Sequence, residues 1–336
     1  MKRVLVLGLV VLLVIGSAVA ASSQTPEWIV YNTANSGLPD NRVLDLAIDE
    51  QGNIWMGTFG GGLANFDGET WTVYDTANSG LAHDLVWCLL FDEQGNKWIG
   101  AWGGGLAKFD GENWTVYDTA NSGLPSNFVG RLAFDASGNI WIGTWWGGLA
   151  KFDGETWTVY DTANSGLPDY DVISLAIDEQ GNIWIGTHGG GLAKFDGVNW
   201  TVYNTDNSGL PHDRVEALAI DEQGNIWIGT EGGGLAKFDG ENWTVYNPGN
   251  SGLPSIYVEC LAFDAPGNIW IGTAGGELAK FDGENWTVYD TANSGLPHGH
   301  VWDLAIDEQG NIWIGTKGGG LAVYREGGVI LTGVQE

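Results

Sequence analysis

The sequence predicts an all-β chain folded as a ring of seven four-stranded blades, a β-propeller, on three observations. First, Gly-Asn-Ile-Trp or a one-residue variant recurs with its tryptophan at Trp55, Trp98, Trp141, Trp184, Trp227, Trp270 and Trp313, always 43 residues apart. A period in the 40s made of short strands is the length of one propeller blade. Second, 54 glycines and 19 tryptophans imply many tight turns and a few large aromatic anchors used repeatedly. Third, the runs between turns are β-branched and broken by glycine, which excludes helical repeats of similar period.

The fourth copy shows the strands. Val172 to Asp178 is expected as strand A, and Glu179-Gln180-Gly181 as the turn after it. Asn182 to Thr187 is strand B, which a glycine turn at Gly189-Gly190-Gly191 joins to strand C, Leu192 to Asp196. After the turn at Gly197, Trp200 to Tyr203 is strand D, and Asn207-Ser208-Gly209-Leu210-Pro211 leads into the next blade. Glycine supplies the positive φ that tight turns need, and Asp-Gly favours a hairpin. Strands apolar on both faces, such as Ile183-Trp184-Ile185, suit blades packed between blades.

The copy count predicts how the ring closes. There are seven A-B-C sets, and seven Trp-x-Val-Tyr strands if Trp28-Ile-Val-Tyr31 is included, but that strand precedes every strand A. The N-terminal strand is therefore expected to complete the last blade beside Leu321 to Tyr324. Val329 to Thr332 is the rival, without a tryptophan.

Residues 1–20 have the form of a secretory signal peptide: Lys2 and Arg3, an apolar run from Val4 to Gly16, and the small-x-small site Ala18-Val19-Ala20. The expected organisation is signal peptide 1–20 cleaved after Ala20, a lead at 21–27, the propeller at 28–324 and a tail at 325–336, in a secreted or periplasmic protein. The formal net charge is −29, which disfavours nucleic acid and anionic membrane surfaces as partners. A monomer is expected. Two cysteines, Cys88 and Cys260, do not make a disulfide scaffold, and both are expected as free thiols.

The consensus Asn-Ser-Gly-Leu-Pro-x-x-x-Val-x-x-Leu-Ala-x-Asp-x-x-Gly-Asn-Ile-Trp-Ile-Gly-Thr-x-Gly-Gly-Gly-Leu resembles the two-component regulator propeller repeat family over residues 28 to about 324. The resemblance implies a propeller of the kind that forms extracytoplasmic sensing regions of hybrid sensor kinases. It supplies no catalytic residue.

The copies also differ among themselves, chiefly after the proline of the D–A loop, after the fixed valine of strand A, and after Gly-Thr in the B–C loop. Both loops emerge on one face of a propeller, so these differences share a face. The tryptophans outside the repeat, Trp87, Trp102, Trp145, Trp146 and Trp302, all fall there, as do all five histidines, His83, His188, His212, His298 and His300. Ordered around the ring, Trp302, Phe59, Trp87, Trp102, Phe128, Trp145 and Trp146 form an aromatic arc, expected to be well exposed. His188, Arg214, Glu216, Glu231, Glu259, His300 and Lys317 form a polar arc. Aromatic surface rimmed by polar groups marks a binding site, and its expected partner is a small molecule, glycan or peptide.

One position before the fixed leucine of strand A, the copies carry Asp45, Cys88, Arg131, Ser174, Ala217, Cys260 and Asp303. These are expected to ring the channel mouth. Asp45 and Asp303 could form an acid/base or metal pair there, but the spacing across a propeller keeps the two cysteines from sharing one ion. No phosphate loop, nucleophile elbow or zinc-ligand spacing occurs. No cofactor, metal or catalytic residue is therefore expected, and a binding module is favoured over a propeller lyase or hydrolase, or a structural interaction disc.

Overall fold

The computed structural model describes residues 25–331 apart from Gly276. The expected signal peptide and its cleavage site lie outside the described residues, as do the first residues of the lead and the last five of the tail.

Seven antiparallel sheets of four strands each form the blades. In the fourth blade strands A to D span Val172–Ile177, Ile183–Thr187, Leu192–Phe195 and Trp200–Tyr203, within one residue of expectation. The last blade takes its outer strand from the N-terminus: Trp28–Tyr31 pairs with Leu321–Tyr324, with Trp28 opposite Tyr324 and Tyr31 opposite Leu321. The rival segment forms no strand among the described residues. Instead the Val329 N–H donates to the Pro26 carbonyl at 3.0 Å, holding the tail beside the closing strand.

The core lies between blades. Trp141 of the third blade packs with Leu149, Leu175 and Ile185, side chains of its own blade and the next. All seven strand-B tryptophans are only 3–5% exposed. Burying so large a ring stabilises by roughly 1.5–3 kcal/mol, provided the indole N–H finds an acceptor. It does in every blade: Nε1 donates to the aspartate of the A–B turn, as Trp55 does to Asp49 at 2.9 Å and Trp184 to Asp178 at 3.0 Å. That same carboxylate accepts the N–H of the asparagine before strand B, Asn53 on Asp49. The Asp-x-x-Gly-Asn turn repeats because its aspartate serves both the turn and the core.

In every blade the ladder between strands A and B slips just after the fixed valine, between Val43 and Asp45 in the first blade. This bulge re-aims the inner strand where it enters the channel.

Candidate functional site

The variable loops form a tied platform. The residue after Gly-Thr donates its N–H to the chain leading into strand A of the same blade: Trp102 to Leu85, Trp145 to Phe128 and Lys317 to His300, at 2.9–3.1 Å. Trp102 and Phe128, Glu231 and Tyr257, and Ala274 and His300 form antiparallel bridges from one blade's B–C loop to the next blade's D–A loop. Side chains carried here are held by backbone hydrogen bonds on both flanks.

Within the platform a cavity of about 490 Å³ opens on the channel axis. Phe59, Trp87, Trp102, Trp145 and Trp302 form its aromatic wall with Leu44, Leu85 and Ile173, and Arg214, Glu216, Glu259 and His300 form its polar wall. Five residues of the expected aromatic arc thus share one space with four of the polar arc, while Phe128, Trp146, His188, Glu231 and Lys317 lie outside its lining. The rings touch: Trp102 lies 5.0 Å from Trp87 in a tilted pair, and edge to face with Phe128 at 5.1 Å and Trp145 at 5.7 Å, centroid to centroid. This packing corrects the expectation of five exposed tryptophans. Trp87, Trp102, Trp145 and Trp302 are half-buried, each screened by its neighbours, and only Trp146, on the rim, is 61% exposed.

On the polar wall Arg214 is gripped by the carboxylates of Glu216 and Glu231. Burial pushes Glu216 up to about 7, Glu259 and Glu231 add to that push, and Arg214 opposes it. Glu259 has His300 as its neighbour, Oε1 to Nε2 at 3.5 Å. His188 is exposed, its ring 5.5 Å from Trp145, and Lys317 Nζ stands 5.7 Å over Trp302.

The ring expected at the channel mouth lies one layer deeper. Because the bulge intervenes, the mouth is lined by the preceding positions, Leu44, Trp87, Ile173, Glu216, Glu259 and Trp302. Below them Arg131, Ser174, Ala217, Cys260 and Asp303 line a second cavity of about 170 Å³. Arg131 borders both spaces and forms the floor between them. Its Nη1 lies 2.8 Å from Asp45 Oδ1, while Asp45 Oδ2 accepts the Leu89 N–H at 2.7 Å. Asp303 Oδ2 accepts the Leu46 N–H, also at 2.7 Å. Burial raises both carboxyls, most strongly Asp45, where the nearby Asp303 charge adds to the effect and Arg131 opposes it. These aspartates tie strand A of one blade to strand A of the next.

Neither cysteine faces the mouth. Cys88 packs between Gly100 and Val129 of the next blade, and Cys260 correspondingly between Gly272 and Val301. Both are free and buried, and desolvation pushes both thiols up. Among the described residues no group of three or more His, Cys, Asp or Glu side chains could hold a metal ion.

Three of the five histidines have a structural task. His83, His212 and His298 each accept, at Nδ1, the N–H two residues on, at 3.0 Å. Asp40, Ser126, Asp169 and Ser255 do the same in the other blades. That position varies in identity but always supplies an acceptor. Leu44 and Ile173 were missed because an aliphatic residue inside a strand gives no sign that it faces a channel, and Leu85, just before a strand, gives none either.

The closed ring and its cavity, open on one face, define a seven-bladed β-propeller built on an axial pocket. The chain belongs with the two-component regulator propellers: the model of that family's repeat matches residues 37–60, 123–146, 166–189, 209–232, 252–275 and 295–318. The second copy, outside those segments, has Ala82 for the proline, Lys97 for the isoleucine and Ala101 for the threonine. No curated protein matches the chain.

Among solved structures it is similar to the extracellular domain assigned to the hybrid two component system BT3049 of B. thetaiotaomicron, with 27% identity and a TM-score of 0.79 over 89% of this chain and 41% of that one. A second such domain from that organism, BT4673, has 22% identity and a TM-score of 0.74, again over 89% of this chain and 40% of the other. The chain thus spans about two-fifths of these extracellular domains. Virginiamycin B lyase from Staphylococcus aureus shares the fold at 12% identity and a TM-score of 0.70, over 89% of this chain and 99% of the lyase.

Proposed function

We propose that this chain is an extracytoplasmic, sensor-like binding propeller that takes a small organic ligand into the axial cavity of its D–A/B–C face. One observation carries the reading. The scaffold repeats closely through seven blades, yet four of its five non-repeat tryptophans, with Glu216, Glu259 and His300, converge on one space of about 490 Å³. A cavity of that size with an aromatic wall and a few convergent polar groups has the make-up of a ligand site. The likeness to extracellular domains of two-component systems supports a location outside the cytoplasm, and the form of residues 1–20 agrees with it. The likeness to the lyase, at 12% identity, brings only the fold and no activity.

The test is a metabolite, saccharide and peptide screen by thermal shift, followed by calorimetry on the wild type and on Trp87→Ala. A ligand that binds the first and is weakened on the second supports the reading. If every ligand found binds Trp87→Ala and Glu216→Gln unchanged, the cavity is not the site.

A further inference from the structure

Both arginines at the cavity are already matched by carboxylates. Arg131 is paired with Asp45 at 2.8 Å, and Arg214 is held between Glu216 and Glu231. Rim cations are engaged as well: Lys317 lies over Trp302, and Arg42 sits 4.2 Å over Phe59 with an Nη 2.6 Å from Asp40. Among the described residues Glu259 has no such Lys or Arg counter-charge. Its neighbour is the His300 imidazole, which is not a fixed cation.

The facing wall is complementary to what is missing. Among the described residues no cation lies over Trp87, Trp102 or Trp145, although Lys or Arg caps the rings of Trp302 and Phe59 beside them. An indole face attracts a cation, most strongly where water is thin. An anion entering here would have to pull Arg214 from two carboxylates or Arg131 from Asp45, stranding charge in a half-buried space. The formal charge of −29 also concentrates cations near the surface and repels anions.

We propose, resting on the binding reading above, that the cavity takes an organic cation, with its ammonium, quaternary ammonium or guanidinium group placed between the Glu259 carboxylate and the indoles of Trp87 and Trp102. A volume of about 490 Å³ suits a free small molecule better than a chain of residues. A basic side chain of a peptide has the same chemistry, and the test separates the two.

Three probes of similar size but different charge, benzyltrimethylammonium, benzyl alcohol and benzenesulfonate, are titrated into the full chain by calorimetry at low salt. A capped Gly-Arg-Gly peptide serves as a fourth. The ammonium is expected to bind at least about tenfold more tightly than the alcohol or the sulfonate. Glu259→Gln and Trp87→Leu, each checked for native circular dichroism, should remove most of that preference. Loss in these variants distinguishes the cavity from diffuse binding to an acidic surface.

Tighter binding of the peptide than of the ammonium would reassign the cation to a peptide side chain and overturn the small-molecule part. Equal or tighter binding of the alcohol or sulfonate, lost in Trp87→Leu, would overturn the cation and leave the cavity reading standing. Ammonium binding unchanged in both variants, or absent at millimolar probe, also overturns the proposal. The binding reading itself falls only if the wider ligand screen fails too.

Discussion

Trp28 lies across Gly295: a Cβ on that glycine would stand 2.5 Å from the Cβ of Trp28. Trp71 lies across Gly37 in the same way at 2.4 Å, and the relation recurs at every blade junction. The junction where the chain closes on itself is therefore packed like those within it. Gly37 and Gly295 are glycine because the neighbouring tryptophan leaves no room for a side chain.

That equivalence predicts equal costs. Trp28→Ala and Trp71→Ala should each lose about 3 kcal/mol, the low end for truncating a large aromatic side chain, since both rings are half-buried. Urea denaturation of the two variants checks it. A silent Trp28→Ala beside a costly Trp71→Ala would mean that the N-terminal strand does not close the ring.

The fold was legible because the 43-residue period carries strands, turns and anchors together, so one copy defines all seven. The face that gathers the site was legible for the same reason: departures from the repeat cluster in two kinds of loop. Depth was not. The bulge after Val43 drops Asp45 below Leu44, and in the sequence both simply follow a fixed valine. Exposure was misjudged because Trp87, Trp102 and Trp145 shield one another, a contact between blades that no single copy shows. His83 looked like His300, yet its ring nitrogen only replaces the Asp40 carboxylate as a turn acceptor.

Cys88 and Cys260 should be invisible to thiol reagents in the native protein. Both are free, at most 3% exposed, and desolvation pushes both thiols up, which suppresses the reactive thiolate. Titration at pH 8 without reductant should find no reactive thiol before unfolding and both after it. No thiol after unfolding would reveal a disulfide, and rapid native reaction would place a cysteine in open solvent.

Stability should fall as pH rises from about 5 to about 7. Glu216 moves from an ordinary 4.5 up to about 7 on folding, so the native state holds a proton that the unfolded chain releases within that window. Where the native state binds more protons, raising the pH favours unfolding. Asp45 and Asp303, also raised, act in the same direction. Turn aspartates such as Asp67 and Asp153, held down at about 2 by hydrogen bonds from Thr70 and Thr156, act oppositely, and their contribution is lost only in stronger acid. Thermal unfolding should show a higher Tm near pH 5 than at pH 8, and Glu216→Gln should flatten part of that slope. A Tm that climbs steadily from pH 5 to pH 8 would contradict the buried state of these carboxyls.

Trp146 gives the cleanest test of whether the aromatic rim exists for contact. Its φ is 65°, in the left-handed region, at a place where the other six copies all carry glycine, three of them at φ 84–128°. An L-residue there costs about 1–2 kcal/mol, and a ring 61% exposed recovers little by burial. Its N–H still donates to Asp171 Oδ1 at 2.7 Å, a bond glycine could make as well. The ring itself touches Phe128, at 4.8 Å between centroids, and Trp102 more loosely at 6.2 Å. Trp146→Gly should therefore leave stability within about 1 kcal/mol of the parent, relieved strain offsetting lost contacts, while ligand affinity falls. Trp102→Ala is a poorer probe: that ring packs against four aromatic neighbours, so its loss should cost about 2–3 kcal/mol and confound binding with folding. Chemical denaturation and calorimetry on both variants separate the cases. A Trp146→Gly protein that is much less stable, with affinity unchanged, would show the exposed ring to be a structural cap on Phe128.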